Sequence, residues 1–117
     1  MNKIYYLATC STCIRIIKEL GISASNFEMQ DIKTQPMTAT QVDEMKSLSG
    51  SYESLFSRRA MKYKSMGLAN QNLSEADYKR LIVEEYTFLK RPVFIIKQEI
   101  FIGNSKKTVK AVQAKIN

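Results

Sequence analysis

The sequence predicts an α/β fold in which helices cover a four-stranded mixed sheet. A strand, a helix and a second strand are expected in residues 1–32, and two strands and a helix from residue 92 onwards. Residues 36–90, which lie between these parts, show only helical patterns. We therefore expect a parallel βαβ half and an antiparallel ββα half to form the sheet, with a helical insertion between them.

The βαβ half begins with residues 3–8, in which a continuous apolar run with two tyrosines follows Lys3. This pattern is typical of a buried strand. Apolar side chains then recur at helical spacing from Cys13 to Leu20, and Gly21 is expected just beyond the end of this helix. Residues 26–32 alternate apolar and polar side chains, which predicts the second strand.

The predicted insertion contains three helical segments. Residues 38–41 have the pattern of a capping box and start the first of them. Apolar spacing predicts a second helix over residues 52–66, and Ser74 starts a third that runs to about Leu89.

The ββα half has apolar segments at residues 92–96 and 100–102, separated by a polar turn. Gly103 ends the second of these strands, and Ser105 caps the last helix. The complete order is that of the thioredoxin-like fold, and we expect one such domain over residues 1–117.

Composition limits the functions that this chain can have. With 117 residues, 44% hydrophobic and 25% charged, it matches an ordinary globular domain. No apolar run is long enough for a membrane span and no signal-peptide pattern is present, so we expect a cytoplasmic protein without a membrane partner. The net charge of +7 favours anionic partners such as oxyanions or acidic proteins. Direct nucleic-acid binding is not expected, because no motif supports it.

The absence of histidine excludes histidine-based catalytic triads. The chain has only two cysteines, whereas a structural zinc usually has four nitrogen or sulfur ligands. We therefore expect no metal site and no bound cofactor, although a zinc ion shared by two chains stays open.

The two cysteines, Cys10 and Cys13, are spaced as Cys-x-x-Cys between a predicted strand and a predicted helix. This pattern indicates a redox-active pair. The positive end of a helix favours the thiolate, so we expect Cys10 to be the nucleophile and Cys13 the resolving thiol. The alternative is that both are ordinary half-buried side chains.

Polar and basic residues complete the candidate site. Thr9, Ser11 and Thr12 offer hydroxyl and backbone N–H groups for an anion beside Cys10. Pro92 is expected at a strand start, with a cis peptide bond by analogy to the fold. Arg91 precedes it.

Four segments resemble the arsenate reductase-like family, which includes glutaredoxin-linked arsenate reductases and the Spx regulators. In chain order these segments are YYLATCSTC, SRRAMKYKSMGL, LKRPVFII and EIFIGNSKKTV. The resemblance implies that Cys10 attacks an oxyanion or a disulfide substrate while Arg59 and Arg91 stabilise the anion. It also implies reduction by glutathione and glutaredoxin, or by thioredoxin.

The resemblance leaves two functions open. The first is a thiol-dependent reductase; the second is a redox-switched regulator that binds RNA polymerase, as Spx does, with a partner surface around Gly50 and Tyr52. The Cys-x-x-Cys pair is more similar to Spx, because the reductases commonly carry Cys-x-x-Ser. The chain departs from the family at Ile14, where a basic residue is common, and at residues 103–105, where the reductases carry a third arginine.

Overall fold

The structure is a computed structural model that describes residues 2–116. The chain forms two compact units. The first joins the chain up to Gln35 to the chain from Arg91 onwards, and the second is Pro36–Lys90. That the chain acts as one domain with an insertion stays a prediction.

Four strands and five α-helices are formed by the described residues. In chain order they are β1 (Asn2–Tyr6), α1 (Ser11–Glu19), β2 (Phe27–Asp31), α2 (Ala39–Ser49), α3 (Met61–Ser65), α4 (Glu75–Glu84), β3 (Val93–Ile96), β4 (Glu99–Ile102) and α5 (Lys106–Ile116). Single turns of 3₁₀ helix in the second unit cover Glu53–Leu55, Leu68–Asn70 and Tyr86–Phe88.

The sheet of the first unit has the strand order β2-β1-β3-β4. β1 and β2 are parallel, whereas β3 is antiparallel to both β1 and β4. Ile4 of β1 pairs with Phe94 of β3, and both side chains are fully buried. This arrangement confirms the predicted four-stranded mixed sheet and the thioredoxin-like fold.

Helix α1 packs on this sheet through the apolar face that the sequence predicts. Its C-terminus is closed by two hydrogen bonds, from Gly21 N–H to the Lys18 carbonyl (3.2 Å) and from Ile22 N–H to the Ile17 carbonyl (3.0 Å). Gly21 has a φ of 65°, the left-handed conformation that this motif needs. The core of the first unit consists of Ile4, Ile16, Ile17, Ile22, Phe27, Phe94, Ile96 and Val112.

The hairpin between β3 and β4 turns on only two residues. Lys97 (φ 50°) and Gln98 (φ 67°) both adopt the left-handed conformation, which is typical of two-residue hairpin loops. Glu99, expected in the turn, instead begins β4. At the open end of the hairpin, the Gly103 N–H donates to the Pro92 carbonyl (2.9 Å) and fixes the start of β3 to the end of β4.

The continuous helix predicted over residues 52–66 is wrong. Phe56 is extended and pairs with Leu89 as an isolated antiparallel bridge. Its ring is buried against those of Phe88, at a centroid distance of 5.0 Å, and Tyr78, at 4.9 Å. Burial of this ring and the backbone pairing override the local helical spacing. Met66, the last residue of the predicted helix, is 48% exposed.

The third predicted helix is shorter than expected, because α4 ends at Glu84 and not near Leu89. The Glu85 carboxylate accepts a hydrogen bond from the Thr87 N–H (3.3 Å) and starts a separate 3₁₀ turn. Phe88 lies in that turn and is fully buried.

Helix α2 begins with the capping box that the sequence predicts. The Gln41 N–H donates to the Thr38 hydroxyl (3.1 Å), and the Thr38 N–H donates to the Gln41 side-chain oxygen (3.2 Å). These contacts satisfy two backbone N–H groups at the helix start.

We expect Thr38→Ala to lower the free energy of unfolding by about 1 kcal/mol, because it removes the hydroxyl acceptor of this box. Urea denaturation followed by circular dichroism measures the change. Thr40→Ala is the matched control, since Thr40 is exposed and lies within the helix. An equal loss of stability in both variants would contradict the role assigned to the cap.

Candidate functional site

Cys10 lies at the junction between β1 and α1. Its N–H donates to the Leu7 carbonyl (3.0 Å) across the connecting turn, and its carbonyl accepts the first hydrogen bond of the helix from the Ile14 N–H (3.1 Å). Its backbone is extended, with φ −93° and ψ 112°, so Cys10 is the N-cap residue of α1. Cys10 therefore lies at the N-terminus of α1, which is the positive end of the helix dipole.

The two thiols differ in accessibility. Both cysteines are free thiols. Cys10 is half-buried, whereas Cys13 lies in the first turn of α1 and has no exposed surface. A reagent from solution therefore meets Cys10 first.

The environment of Cys10 favours its thiolate. Partial burial alone would raise the pKa of Cys10, but contacts from the backbone N–H and the thiol of Cys13 and from the Thr12 N–H outweigh it. The positive charge of Arg91 lowers it further. The net result is a Cys10 pKa below that of an ordinary thiol, although the side chain makes no capping hydrogen bond of ideal geometry.

The environment of Cys13 has the opposite effect. Burial is the largest cause, and it raises the pKa of Cys13 to about 11 against the opposing contact from the Leu7 backbone. The negative charge that develops on Cys10 raises it as well. Cys13 therefore holds its proton while Cys10 is a thiolate.

Arg91 and Pro92 lie directly before β3. The Arg91–Pro92 peptide bond is cis, as expected from the fold, and Pro92 is buried. Because β3 is antiparallel to β1, with Val93 opposite Tyr5, the start of β3 lies at the same sheet end as the turn that carries Cys10. The Arg91 charge lowers the pKa of both thiols from this position.

The three hydroxyl residues around Cys10 are available to a ligand. Thr9 and Ser11 are exposed and Thr12 is half-buried. Within residues 2–116, their hydroxyl groups form no hydrogen bond. The first turn of α1 holds no acidic residue, so no carboxylate there opposes an anion.

Arg59 belongs to the second unit, and its role beside Cys10 stays a prediction. Both Arg58 and Arg59 lie in a turn before α3, not on the helix that the sequence predicts. Arg58 donates to the Glu53 carboxylate (2.7 Å) and to the Tyr78 hydroxyl (3.0 Å). Arg59 is exposed and forms no ion pair with a described residue.

Two residues that sequence reasoning did not select also shape the site through their backbones. The Leu7 carbonyl receives the Cys10 N–H, and the Leu7 backbone also interacts with the Cys13 sulfur. Gly103 holds Pro92 in place. Their only sequence signals are their positions, directly after β1 and directly after β4.

Metal binding has no support in the part of the chain that the structure describes. There, no three acidic or cysteine side chains come together in a way that could hold a metal ion.

Among residues 2–116, no helix is both long enough and apolar enough to cross a membrane.

Known structures share the fold over almost the whole chain. An arsenate reductase from Vibrio cholerae is 14% identical with a TM-score of 0.77, and the match covers 97% of this chain and 96% of that one. A Streptococcus mutans protein described as a possible arsenate reductase is 22% identical, with a TM-score of 0.73 and coverages of 96% and 97%. A Staphylococcus aureus protein is 26% identical, with a TM-score of 0.72 and coverages of 95% and 97%.

A comparison with curated proteins gave no significant match. The model of the ArsC family, in contrast, matches residues 5–112. This match confirms the resemblance found in the four sequence segments. The chain therefore belongs to the ArsC family.

Proposed function

We propose that this chain is a thiol-dependent oxidoreductase in which Cys10 is the nucleophile and Cys13 the resolving thiol. The observation that carries the proposal is the opposite shift of the two thiols: the half-buried Cys10 has a lowered pKa, and the buried Cys13 has a pKa of about 11. Membership of the ArsC family supports thiol-dependent redox chemistry in general.

In the first step, the Cys10 thiolate gives an electron pair to the substrate. With a disulfide, a new S–S bond forms, the old one breaks, and one substrate sulfur leaves as a thiolate. With an oxyanion, the Cys10 sulfur bonds to the central atom and one oxygen leaves as water after protonation. Arg91 and the hydroxyls of Thr9, Ser11 and Thr12 are the groups proposed to bind the anion.

In the second step, Cys13 attacks the Cys10 sulfur. The bond between Cys10 and the substrate breaks, and its electron pair leaves with the substrate, which has then gained two electrons. The Cys13 proton passes to the leaving group. Bond formation at Cys10 removes the thiolate charge that raises the Cys13 pKa, so Cys13 becomes easier to deprotonate when it has to react.

The cycle closes when an external thiol donor, either a dithiol protein or two glutathione molecules, breaks the Cys10–Cys13 bond and forms a donor disulfide in its place. Glutathione with glutaredoxin, or thioredoxin, supplies the two electrons and two protons. The proposed compartment is the cytosol, where free thiols are kept reduced.

The second candidate function is a redox-switched regulator that binds RNA polymerase. The Cys-x-x-Cys pair favours this function, because oxidation can form a disulfide between Cys10 and Cys13 within one chain. A surface around Gly50 and Tyr52 is the proposed contact; Gly50 is exposed at the end of α2. Co-sedimentation of the reduced and oxidised protein with RNA polymerase tests it, and equal absence of binding in both states would reject it.

Cys10 should be alkylated before Cys13 when limiting iodoacetamide is added to the reduced protein, because only a thiolate reacts and Cys10 is the more acidic and accessible thiol. The rate should rise with pH and level off at a lower pH than for free cysteine. Peptide mapping by mass spectrometry measures both sites. Faster modification of Cys13 would reverse the assigned roles.

An aromatic disulfide should separate the two steps. We expect 5,5′-dithiobis(2-nitrobenzoate) to release two equivalents of chromophore from the wild type and to leave a monomer lighter by two hydrogens. Cys13→Ser should release one equivalent and keep one adduct on Cys10. A wild type that carries two adducts, or that forms mainly disulfide-linked dimers, would contradict the resolving role of Cys13.

Arg91→Ala should raise the Cys10 pKa, because it removes a positive charge that lowers it. With an oxyanion substrate, kcat/KM should fall roughly 10- to 100-fold, the effect of losing a charged hydrogen bond. Arg91→Lys should restore the pKa better than the rate, since lysine keeps the charge but not the planar fork. Alkylation rates against pH and steady-state kinetics provide the two measurements.

Arg15→Ala is the control for Arg91, since Arg15 is exposed on α1 and pairs with Glu19. Arg59→Ala tests the arginine that the resemblance adds, and the exposed Arg80 is its control in the same unit. An unchanged Cys10 titration in Arg91→Ala would remove the electrostatic argument, and unchanged kinetics in Arg59→Ala would exclude Arg59 from the site.

A further inference from the structure

The positive charge of the chain is concentrated in the unit that carries the thiols. The first unit holds ten of the 18 basic side chains but only four of the 11 acidic ones. It therefore carries six of the seven net positive charges, whereas the second unit is close to neutral. A net charge this uneven creates an electrostatic field on one part of the molecule.

The few acidic side chains of the first unit are already engaged. Each of its three glutamates forms an ion pair within the unit, and Asp31 accepts a hydrogen bond from the Lys33 N–H (3.1 Å). The ion pairs are Lys3–Glu28, Arg15–Glu19 and Lys115–Glu99. Six exposed lysines of this unit form no ion pair with any described residue: Lys18, Lys33, Lys97, Lys106, Lys107 and Lys110.

Lys106 and Lys107 lie at the thiol end of the sheet. β4 ends at Ile102, which pairs with Val93, the residue after the Arg91–Pro92 peptide. Gly103 donates to the Pro92 carbonyl, and Lys106 is only three residues further, so its Cα lies within about 11 Å of that of Gly103. The first turn of α5 contains no acidic residue.

Lys18 and Lys97 lie at the opposite end of the same unit. Lys18 is in the last turn of α1, about 12 Å along the helix from Cys10, and Lys97 is in the β3–β4 turn. Like Lys106 and Lys107, these two lysines are exposed and form no ion pair with a described residue. They differ from them only in their position.

We propose that Lys106 and Lys107, together with Arg91, form a basic rim that docks the acidic surface of the dithiol protein that reduces the Cys10–Cys13 disulfide. The proposal rests on the proposed function and adds the chemistry of the partner. Reduction requires a donor sulfur to reach one sulfur of the pair, so the surface beside Cys10 must lie against the donor. Acidic groups on the donor then complement the rim and steer the encounter.

A protein fits this rim better than a small anion does. Lys106 and Lys107 are both exposed, so they build no closed pocket, and one exposed ion contact contributes little binding free energy. An acidic protein surface presents several carboxylates at once, and their attraction to the rim adds up. In the reduction itself, the Cys10–Cys13 bond breaks and a disulfide forms in the donor, so that two electrons and two protons pass from the donor dithiol to Cys10 and Cys13.

Stopped-flow reduction of the oxidised full-length protein tests the proposal, with a thioredoxin of net negative charge as the probe and dithiothreitol as the uncharged reference. The Lys106→Glu/Lys107→Glu variant should react with thioredoxin about tenfold or more slowly at low salt, and this difference should shrink at high salt. Reduction by dithiothreitol should stay within about twofold of wild type. The matched control, Lys18→Glu/Lys97→Glu, has the same net charge and should lose less than about threefold.

Equal losses in both double variants would overturn the rim, since net charge alone would then explain the effect. Unchanged thioredoxin rates in both double variants would also overturn it. The case against a protein partner would be stronger still if only the rim variant lost retention on duplex DNA at physiological salt. A wild type that forms no Cys10–Cys13 disulfide reducible by dithiothreitol would overturn the proposed function, and the partner assignment with it. If the disulfide forms and dithiothreitol reduces it at the normal rate, a negative result with thioredoxin contradicts only the docking proposal and leaves the proposed function intact.

Discussion

The antiparallel pairing of β1 with β3 is the constraint on which the candidate site depends. These strands are far apart in the sequence, with residues 36–90 between them. Their register places Tyr5 opposite Val93, so the turn that follows β1 and the peptide that precedes β3 lie at one end of the sheet. Without this pairing, the Arg91 charge would have no fixed relation to the Cys10 thiol.

The hydrogen bonds around this junction are backbone bonds, which makes the geometry insensitive to side-chain motion. Leu7 holds Cys10 from one side, and Gly103 holds Pro92 from the other. Buried apolar side chains such as Ile4 and Phe94 fix the two central strands beneath. The polar groups of the candidate site therefore rest on an apolar sheet.

Local signals were sufficient to predict most of the fold. The capping box at Thr38, the end of α1 at Gly21 and the Cys-x-x-Cys junction all depend on residues close together in the sequence. The helix expected over residues 52–66 could not be judged in this way, because Phe56 is held by Leu89 and Phe88, more than 30 positions away. The opposite shifts of the two thiols were only half predictable: the helix start indicates an acidic Cys10, but the burial of Cys13 follows from the packed core. The position of Arg91 beside the thiols also required the strand register.

Because the chain contains no histidine, the lowered pKa of Cys10 can be followed directly by experiment. No imidazole is present to change charge near neutral pH, so the thiol is the side-chain type whose ordinary pKa lies closest to neutrality. The ultraviolet absorbance of the thiolate, or the pH dependence of any reaction at Cys10, therefore reports the ionisation of one identified sulfur. Each change near the site can therefore be followed as a displacement of the Cys10 titration curve.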